Sequence, residues 1–482
     1  MGLFMGLRYA SRPGGEDARA HPFPSGEWVH DILLAGDPGE PCLSMGGTVS
    51  RGELTGLVDN QQRLLEQAGL RPGGTVTVRL PPSVEYIATL LGAWRAGAQV
   101  SLLDHRLVSR EVDNALDRLA PQVVVTARSV TAAPMAGYAR AVAEATGRAD
   151  GRPAATQHVL IQLSSGSTGP SKIIARTAAD LVSELDRYEQ LDEYPKRGER
   201  VVLLASMVHV LGLVGGLLHS LHAGVRLAFP ERLTADGIRD AVAAGAEPTM
   251  VLGVPFHAEL LAAGGAPLSA LSRMVVAGEL VRPWLPGAFA ARYGVPLGTM
   301  YGMTELGVIA TDLDGRHHPA VAPAPGMSLR VVDGELQVQM PASPYIGLVD
   351  DTRWVDGWLR TRDAAAIDEA TGLVTILGRL DSQIAVGGLK VDLTEVEQTL
   401  CALPQVDSGV VTYGSVIEAY LVLRAGASAA DVESALAERL APYKRPRDLH
   451  VLDAMPRTAT GKISRDRSVL RAAAGASPAV EP

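Results

Sequence analysis

Lysine is rare in this chain, and one lysine closes a loop that could bind phosphate. Of 44 basic residues, 39 are arginine; lysine stands only at Lys172, Lys196, Lys390, Lys444 and Lys462. Lys172 ends the run Leu163-Ser-Ser-Gly-Ser-Thr-Gly-Pro-Ser-Lys, which packs five hydroxyl side chains and two glycines ahead of it. Glycine has no Cβ to hold a ligand away from the backbone. Successive N–H groups, hydroxyls and an ammonium suit the oxygens of a polyphosphate. A solvated Ser/Gly surface loop would explain the composition but not the scarce residue that closes it. The loop is not a Walker A loop, because Lys172 follows Ser171 and precedes Ile173.

Such a loop needs a rigid mount, and the flanking sequence supplies one. The apolar run His158-Val-Leu-Ile-Gln-Leu163 reads as a buried strand leading into it. Upstream, Ser50 is placed to cap a helix running to about Ala68. Thr75–Leu80 reads as a strand, Ser83–Ala96 as a helix and Val100–Leu103 as a strand. Ser109 is placed to cap a further helix before the strand Val123–Thr126. A looser Ala/Gly/Arg stretch fills about 130–155. Downstream, Asp180–Gln190 reads as a helix and Val201–Ala205 as a strand. A Gly-rich apolar helix follows His209, and then the strand Val225–Phe229. Thr249–Pro255 and Arg273–Glu279 each look like a strand ending in a ligand-facing turn. This alternation implies a parallel sheet with crossover helices. Short alternating runs over about 325–376 suggest small antiparallel or barrel-like β structure. The block from about 382 to 470, with helices at Leu393–Leu403 and Ala429–Leu440, is large enough to be a small domain of its own.

Bulk properties narrow the class. A chain of 482 residues is too long for one compact core. Its net charge of −9 argues against a general nucleic-acid binder and against an anionic membrane surface as partner. Cys42 and Cys401 form neither a disulfide framework nor a metal quartet, and they fit a reducing, cytoplasmic compartment. The N-terminal run is too short and interrupted for a signal peptide, and no apolar run reaches the ~18 residues of a membrane span.

Further stretches line up with the glycine loop in a set order: Tyr301-Gly-Met-Thr-Glu-Leu-Gly, Trp358-Leu-Arg-Thr-Arg-Asp363, Gly378-Arg-Leu-Asp-Ser-Gln, Gly387-Gly-Leu-Lys-Val-Asp-Leu-Thr-Glu-Val-Glu397 and Pro456-Arg-Thr-Ala-Thr-Gly-Lys462. Over about 50–466 the chain resembles the superfamily of adenylate-forming enzymes, which includes acyl- and aryl-CoA synthetases, nonribosomal-peptide adenylation domains and luciferases. The resemblance implies an α/β fold. A large N-terminal domain (1–380) would hold parallel sheets, flanking helices and a small β-barrel-like subdomain. A small mobile α+β domain (382–482) would follow, hinged at Asp381. It implies ATP with Mg²⁺ as cofactors and a carboxylic acid as substrate. The acid becomes an acyl-adenylate with release of pyrophosphate and then passes to CoA.

Carried over position by position, Ser164, Ser165, Gly166, Ser167, Thr168, Gly169 and Lys172 would hold the β- and γ-phosphates. Thr304 would contact the α-phosphate, and Glu305 would place Mg²⁺, a cation that takes oxygen ligands. Tyr301 and Gly302 would lie against adenine, and Ala277, Gly278 and Glu279 would border adenine and the acyl site. Asp363 would accept both ribose hydroxyls, and Arg379 would reach ribose or phosphate. Lys462 would bridge carboxylate and α-phosphate, stabilising charge as it develops. Val254 and Met303 would line the acid or thiol path, and Gly387 and Gly388 the thiol side. His209 matches a histidine beside the acyl pocket, and as a lone histidine in an apolar stretch it reads equally as a core residue.

Four positions depart from the family pattern. Ser171 and Ile173 replace Pro and Gly in the glycine loop, Arg362 replaces a Gly before Asp363, and Ala385 replaces a lysine after the hinge. None removes a principal catalytic group; Ala385 leaves the thiol step less defined. The expected acid pocket, around Val210–Gly216 and Gly253–Phe256, is apolar, and Gly212, Gly215 and Gly216 suggest room for a bulky acid. With no carrier-protein segment after Lys462, a standalone ligase is expected. The sequence leaves other acceptors open: a carrier protein's phosphopantetheine arm or an amine. It also leaves open a catalytically reduced nucleotide-binding relative, and a homodimer.

Overall fold

The computed structural model describes residues 25–476, apart from 108, 164–172, 348–352, 381–382, 387–388, 441 and 459–460. The glycine loop, the hinge position Asp381 and the Gly387-Gly388 pair therefore lie outside the described residues.

Two sheets organise the N-terminal part. In one sheet, of seven strands among the described residues, Leu160–Leu163, Gln99–Leu102, Thr75–Arg79 and Val123–Thr131 run parallel side by side. The aliphatic side chains of the first three are buried or nearly so on both faces, as a sheet covered by helices requires, whereas Val123–Thr131 is buried only at its start. Two helices start where the sequence said they would, while Ser109 is the first residue of its helix (Ser109–Leu119) rather than the cap before it. Ser50 caps Arg51–Gln67 in a reciprocal capping box with Glu53, and the Ser83 hydroxyl accepts Tyr86 N–H at the start of Val84–Arg95. Trp94 on the second helix is 1% exposed, and its indole N–H donates to Val159 O at 2.8 Å. That bond seats the helix against the strand leading to the glycine loop.

The stretch 130–155 is more ordered than its composition suggested. Arg140–Gly147 is a strand, antiparallel to Val123–Thr131 and at the sheet's edge. Its small alanines give little periodic signal; the partner strand's backbone groups define it instead. The strand Ile173–Arg176, which follows the glycine loop, returns antiparallel to Leu160–Leu163 and pairs in turn with Tyr345–Ile346.

The second sheet has 14 strands among the described residues. Arg200–Leu203, Thr249–Gly253, Leu271–Ala277 and Leu297–Met303 lie parallel and adjacent within it. Their carboxyl ends therefore emerge together. The sheet then turns antiparallel through Gly307–Asp312 and Ala320–Pro323, and it continues into Val374–Arg379, Trp358–Ile367, Glu335–Gln339 and Leu329–Val332. The expected small β unit is thus joined to the main sheet edge by hydrogen bonds. It keeps a core of its own around Ile309, Val321, Leu336 and Val374.

Gly-rich Leu211–Leu218 is wound as a π-helix and passes into His219–Ala223. Residues beyond 383 build separate cores. Val396, Leu400, Val432 and Leu436 of two helices pack on Val406–Tyr413 and Ile417–Leu423, and Leu470 of Arg467–Ala476 closes the other face. That last helix is tied down by Glu418. Its carboxylate is 1% exposed and receives Arg467, Arg471 (2.8 Å) and the Tyr420 hydroxyl (2.6 Å). Those donors hold the Glu418 pKa down at about 2. No described helix is long and apolar enough to cross a membrane.

Candidate active site

Four neighbouring strand ends supply the site. Ser206 to His209 follow Arg200–Leu203, Val254 follows Thr249–Gly253, Gly278 and Glu279 follow Leu271–Ala277, and Tyr301 to Met303 end Leu297–Met303. Register places Gly253 beside Val276 and Ala277 beside Met300, so the three turns sit side by side. This is the edge where ligands of parallel sheets bind.

Lys462 reaches that edge from the C-terminal part. Its ammonium donates to Gly278 O at 3.1 Å. Gly278 is in the left-handed region at φ +91°, and a Cβ there would stand 3.0 Å from the lysine Nζ. Both facts call for glycine. The lysine rides on a tight turn: Thr458 N–H donates to Lys462 O, Gly461 N–H donates to Thr458 O, and Gly461 has φ +85°. Arg457 braces the turn by donating to Gly461 O at 2.8 Å while stacking 4.1 Å above the Phe256 ring. Arg282 makes a second bridge between the two parts, donating to Asp407 O at 3.0 Å and pairing with Glu259 at 3.2 Å.

Charge is concentrated around Lys462. Burial raises the Glu279 pKa, and the cations Lys462, Arg465 and Arg457 oppose that rise. His209 is exposed, yet surrounding protein crowds it enough to cost it solvation. That loss of solvation lowers its pKa, Lys462 and Arg106 push the same way, and Asp104 opposes them. The imidazole is accordingly held towards its neutral form. Exposure rules out the core reading of His209, and Lys462 lies within electrostatic reach of it.

The residues expected on the nucleoside side form a second cluster. The Tyr301 hydroxyl donates to Asp363 Oδ2 at 2.6 Å, and Arg379 Nη1 stands 3.5 Å from Asp363 Oδ1. Asp363 and Arg379 are paired directly across two antiparallel strands. Burial and the Asp363 charge raise the Tyr301 pKa, so its hydroxyl stays a donor. Arg362, just before the carboxylate, has φ +63°. The backbone thus keeps a glycine conformation without a glycine. Its N–H donates to the buried Glu335 at 2.9 Å, and Glu335 also takes Arg360 at 2.8 Å.

Thr304 and Glu305 occupy a three-residue connection between Met303 and Gly307, which face each other in the hairpin. A Cβ at Gly302 would lie 2.5 Å from Gly307 O, so the two arms touch. Glu305 is buried and accepts the Tyr345 hydroxyl at 2.8 Å, with Arg353 4.0 Å away. Neither partner was visible in the sequence; both come from a segment about 40 residues downstream. No group of three or more His, Cys, Asp or Glu residues among the described residues could cage a metal. One carboxylate beside a threonine does fit Mg²⁺, which is usually held by one or two carboxylates, water and substrate phosphates.

Gly212, Gly215 and Gly216 do not create pocket volume. A Cβ at Gly212 would strike Ser206 O, one at Gly215 would lie 2.6 Å from the Tyr188 hydroxyl, and one at Gly216 would lie 2.7 Å from Leu203 Cδ1. They let the π-helix sit tightly on its neighbours. The room for a bulky acid expected from these glycines is instead close packing.

The model of the AMP-binding enzyme family matches residues 33–347, and that of the AMP-binding enzyme C-terminal domain matches 395–462. The chain belongs to this family. It is an acyl- or aryl-CoA synthetase-like ligase, an acid–thiol ligase by type. Among similar curated proteins is the benzoate–CoA ligase of Thauera aromatica, 27% identical and covering 90% of this chain and 93% of its own. The indoleacetate–CoA ligase of Aromatoleum aromaticum is 28% identical, covering 91% and 96%. The ATP-bound MatB structure from Rhodopseudomonas palustris shares the fold, with a TM-score of 0.78 at 23% identity over 93% of this chain and 99% of that one.

Proposed function

We propose that this AMP-binding enzyme activates an apolar, aryl-type carboxylic acid with ATP and transfers the acyl group to CoA. The observation that carries the reading is the Lys462–Gly278 contact. It places a scarce ammonium, from the far end of the chain, at the strand edge shared by Thr304, Glu305 and the Asp363–Tyr301 pair.

In the first step a carboxylate oxygen attacks the α-phosphorus. The bond from that phosphorus to the oxygen bridging it to the β-phosphorus breaks, and pyrophosphate leaves. Lys462 sits where carboxylate and α-phosphate would meet, so it aligns two anions and offsets the charge that builds between them. Asp363 takes the ribose hydroxyls, with Tyr301 and Arg379 fixing its two oxygens. Thr304 faces the α-phosphate. Mg²⁺, held through Glu305 and phosphate oxygens, would neutralise triphosphate charge. In the second step the CoA thiol, losing its proton, attacks the acyl carbon and AMP departs. For that step we assign the turn about Asp381 to swing Lys462 away and bring the Gly387-Gly388 segment in. An aryl or other apolar acid is supported by Val254, Ala277 and Met303 at the strand ends and by a neutral His209.

The test is pyrophosphate exchange with a panel of aryl, arylacetic, aliphatic and amino acids, followed by mass spectrometry of products with and without CoA. Exchange that depends on an aryl acid, with acyl-CoA only when CoA is added, is expected. Absence of exchange with every acid would sink the proposal, and an acyl-adenylate inert to CoA would sink its second half.

A further inference from the structure

We infer that Glu184 is a positioning residue for the turn that carries Thr304 and Glu305, acting through its clamp on Val308. The inference rests on the adenylation reading, in which that turn faces the triphosphate.

Glu184 lies on the helix Ala178–Glu189, in the apolar stripe Leu181, Glu184, Leu185, Tyr188, all of them buried. Its carboxylate is fully buried. Oε2 accepts Arg176 Nη1 at 2.6 Å, and Oε1 accepts Val308 N–H at 3.1 Å. Arg176 is 2% exposed and donates also to Asp180 O. Desolvating such a pair is costly, and well-packed apolar side chains often stabilise a fold as well. What apolar side chains cannot do is accept a backbone N–H at a defined point of a turn.

Three contacts from this one helix meet the turn. Glu184 takes Val308 N–H, and Arg187 Nη2 donates to Leu306 O at 2.9 Å. Gly307, at φ +80°, passes so close that a Cβ there would overlap the Glu184 carboxylate. The residues on both sides of the Gly307 approach are thus bonded to side chains of the same helix. Glu305 is gripped separately by Tyr345, whose strand pairs with Ile173–Arg176, the strand that carries Arg176. One strand–helix unit therefore holds both the backbone of the turn and the side chain at its centre. The ion pair keeps the Glu184 oxygens aimed: Arg176 engages one oxygen so that the other faces Val308.

Glu184→Gln keeps the shape and an acceptor for Val308 but removes the charge that Arg176 orients. In the full chain it is expected to slow pyrophosphate exchange about tenfold, as a sub-ångström misplacement of reacting groups does. It should raise the half-saturating Mg²⁺ concentration and leave the KM for the acid within about twofold. Arg187→Met, which leaves the buried pair intact, should shift both quantities in the same direction by less. The discriminating arm adds Glu184→Gln to a Thr304→Ala/Glu305→Gln variant. If Glu184 acts through the turn, the triple variant is no slower than Thr304→Ala/Glu305→Gln alone; multiplied losses would overturn the inference. A parallel arm measures ATP binding with and without Mg²⁺ and needs no turnover. Loss of the Mg²⁺ enhancement in Glu184→Gln supports the inference, and an enhancement equal to that of the unaltered protein refutes it. Should the unaltered protein bind Mg²⁺–ATP yet exchange no pyrophosphate, the proposed function fails while this binding arm still decides the role of Glu184.

Discussion

Replacing Gly278 by alanine separates the position of Lys462 from everything else that the site does. Two effects follow from the geometry. The backbone at φ +91° disfavours a side chain by about 1–2 kcal/mol. The new methyl would lie 3.0 Å from Nζ and 3.4 Å from Cε of Lys462, so the ammonium must retreat by roughly half an ångström to reach ordinary contact. Catalytic geometry tolerates about that much before rates fall steeply. Exchange should therefore drop about ten- to a hundredfold, while ATP affinity, which the proposed function assigns to Asp363 and Tyr301, stays within about twofold. Gly294→Ala is the control: φ is +71° there, and nothing lies within 4 Å of the added Cβ. It carries the backbone penalty without the contact. Pyrophosphate exchange, ATP titration calorimetry and denaturant midpoints on both variants are the measurements. Equal activity loss in the two variants, or a Gly278→Ala/Lys462→Ala double variant slower than Lys462→Ala alone, would refute the reasoning.

Three further outcomes are expected. Lys462→Met should raise the His209 pKa towards its ordinary value, because Lys462 helps to hold it down; histidine NMR titration reads this directly. Glu418 has a folded pKa depressed to about 2. Its contribution, of order 3 kcal/mol, is thus fully present above the ordinary carboxylate pKa and is lost as pH falls from about 4.5 through about 2. Hydrogen exchange of Arg467–Ala476 should accelerate over that window, and Glu418→Gln should give the same loosening at neutral pH. Arg362→Gly should raise the denaturant midpoint by the equivalent of about 1 kcal/mol, since it removes a left-handed arginine and keeps the backbone bond to Glu335; a lower midpoint would show that the arginine side chain outweighs the strain.

Local chemistry made much of the fold legible. Ser50 and Ser83 announce helix starts because a hydroxyl after a turn has a backbone N–H to accept, and both do so here. The buried strands announce themselves by continuous β-branched residues. What escaped depends on partners distant in sequence. Arg140–Gly147 is a strand because Val123–Thr131 lies beside it, not because of its own alanines. Tyr345 and Arg353 meet Glu305 across about 40 residues, and Glu184 meets Val308 across more than a hundred. One signal for Glu184 was available: a carboxylate within an apolar helical stripe demands a partner. The glycines of the π-helix misled because absent side chains look alike whether the space beside them is open or filled. Conversely, the departure at Arg362 is plain in the sequence, whereas the left-handed backbone that the arginine adopts is not.

The contacts joining the two parts of the chain use few side chains as acceptors. Lys462 addresses a backbone carbonyl at Gly278, and Arg282 addresses another at Asp407; Phe256 offers a ring face to Arg457. Carbonyl oxygens are supplied by every residue type, so mutation of the accepting position seldom erases them. The seam is therefore tolerant of sequence drift on its accepting side and strict on its donating side. For protein engineering this makes the C-terminal part an exchangeable module. A segment from a related chain should dock productively if it brings a lysine and an arginine at the spacing of Lys462 and Arg457 and a carbonyl within reach of Arg282, however different the rest of its surface.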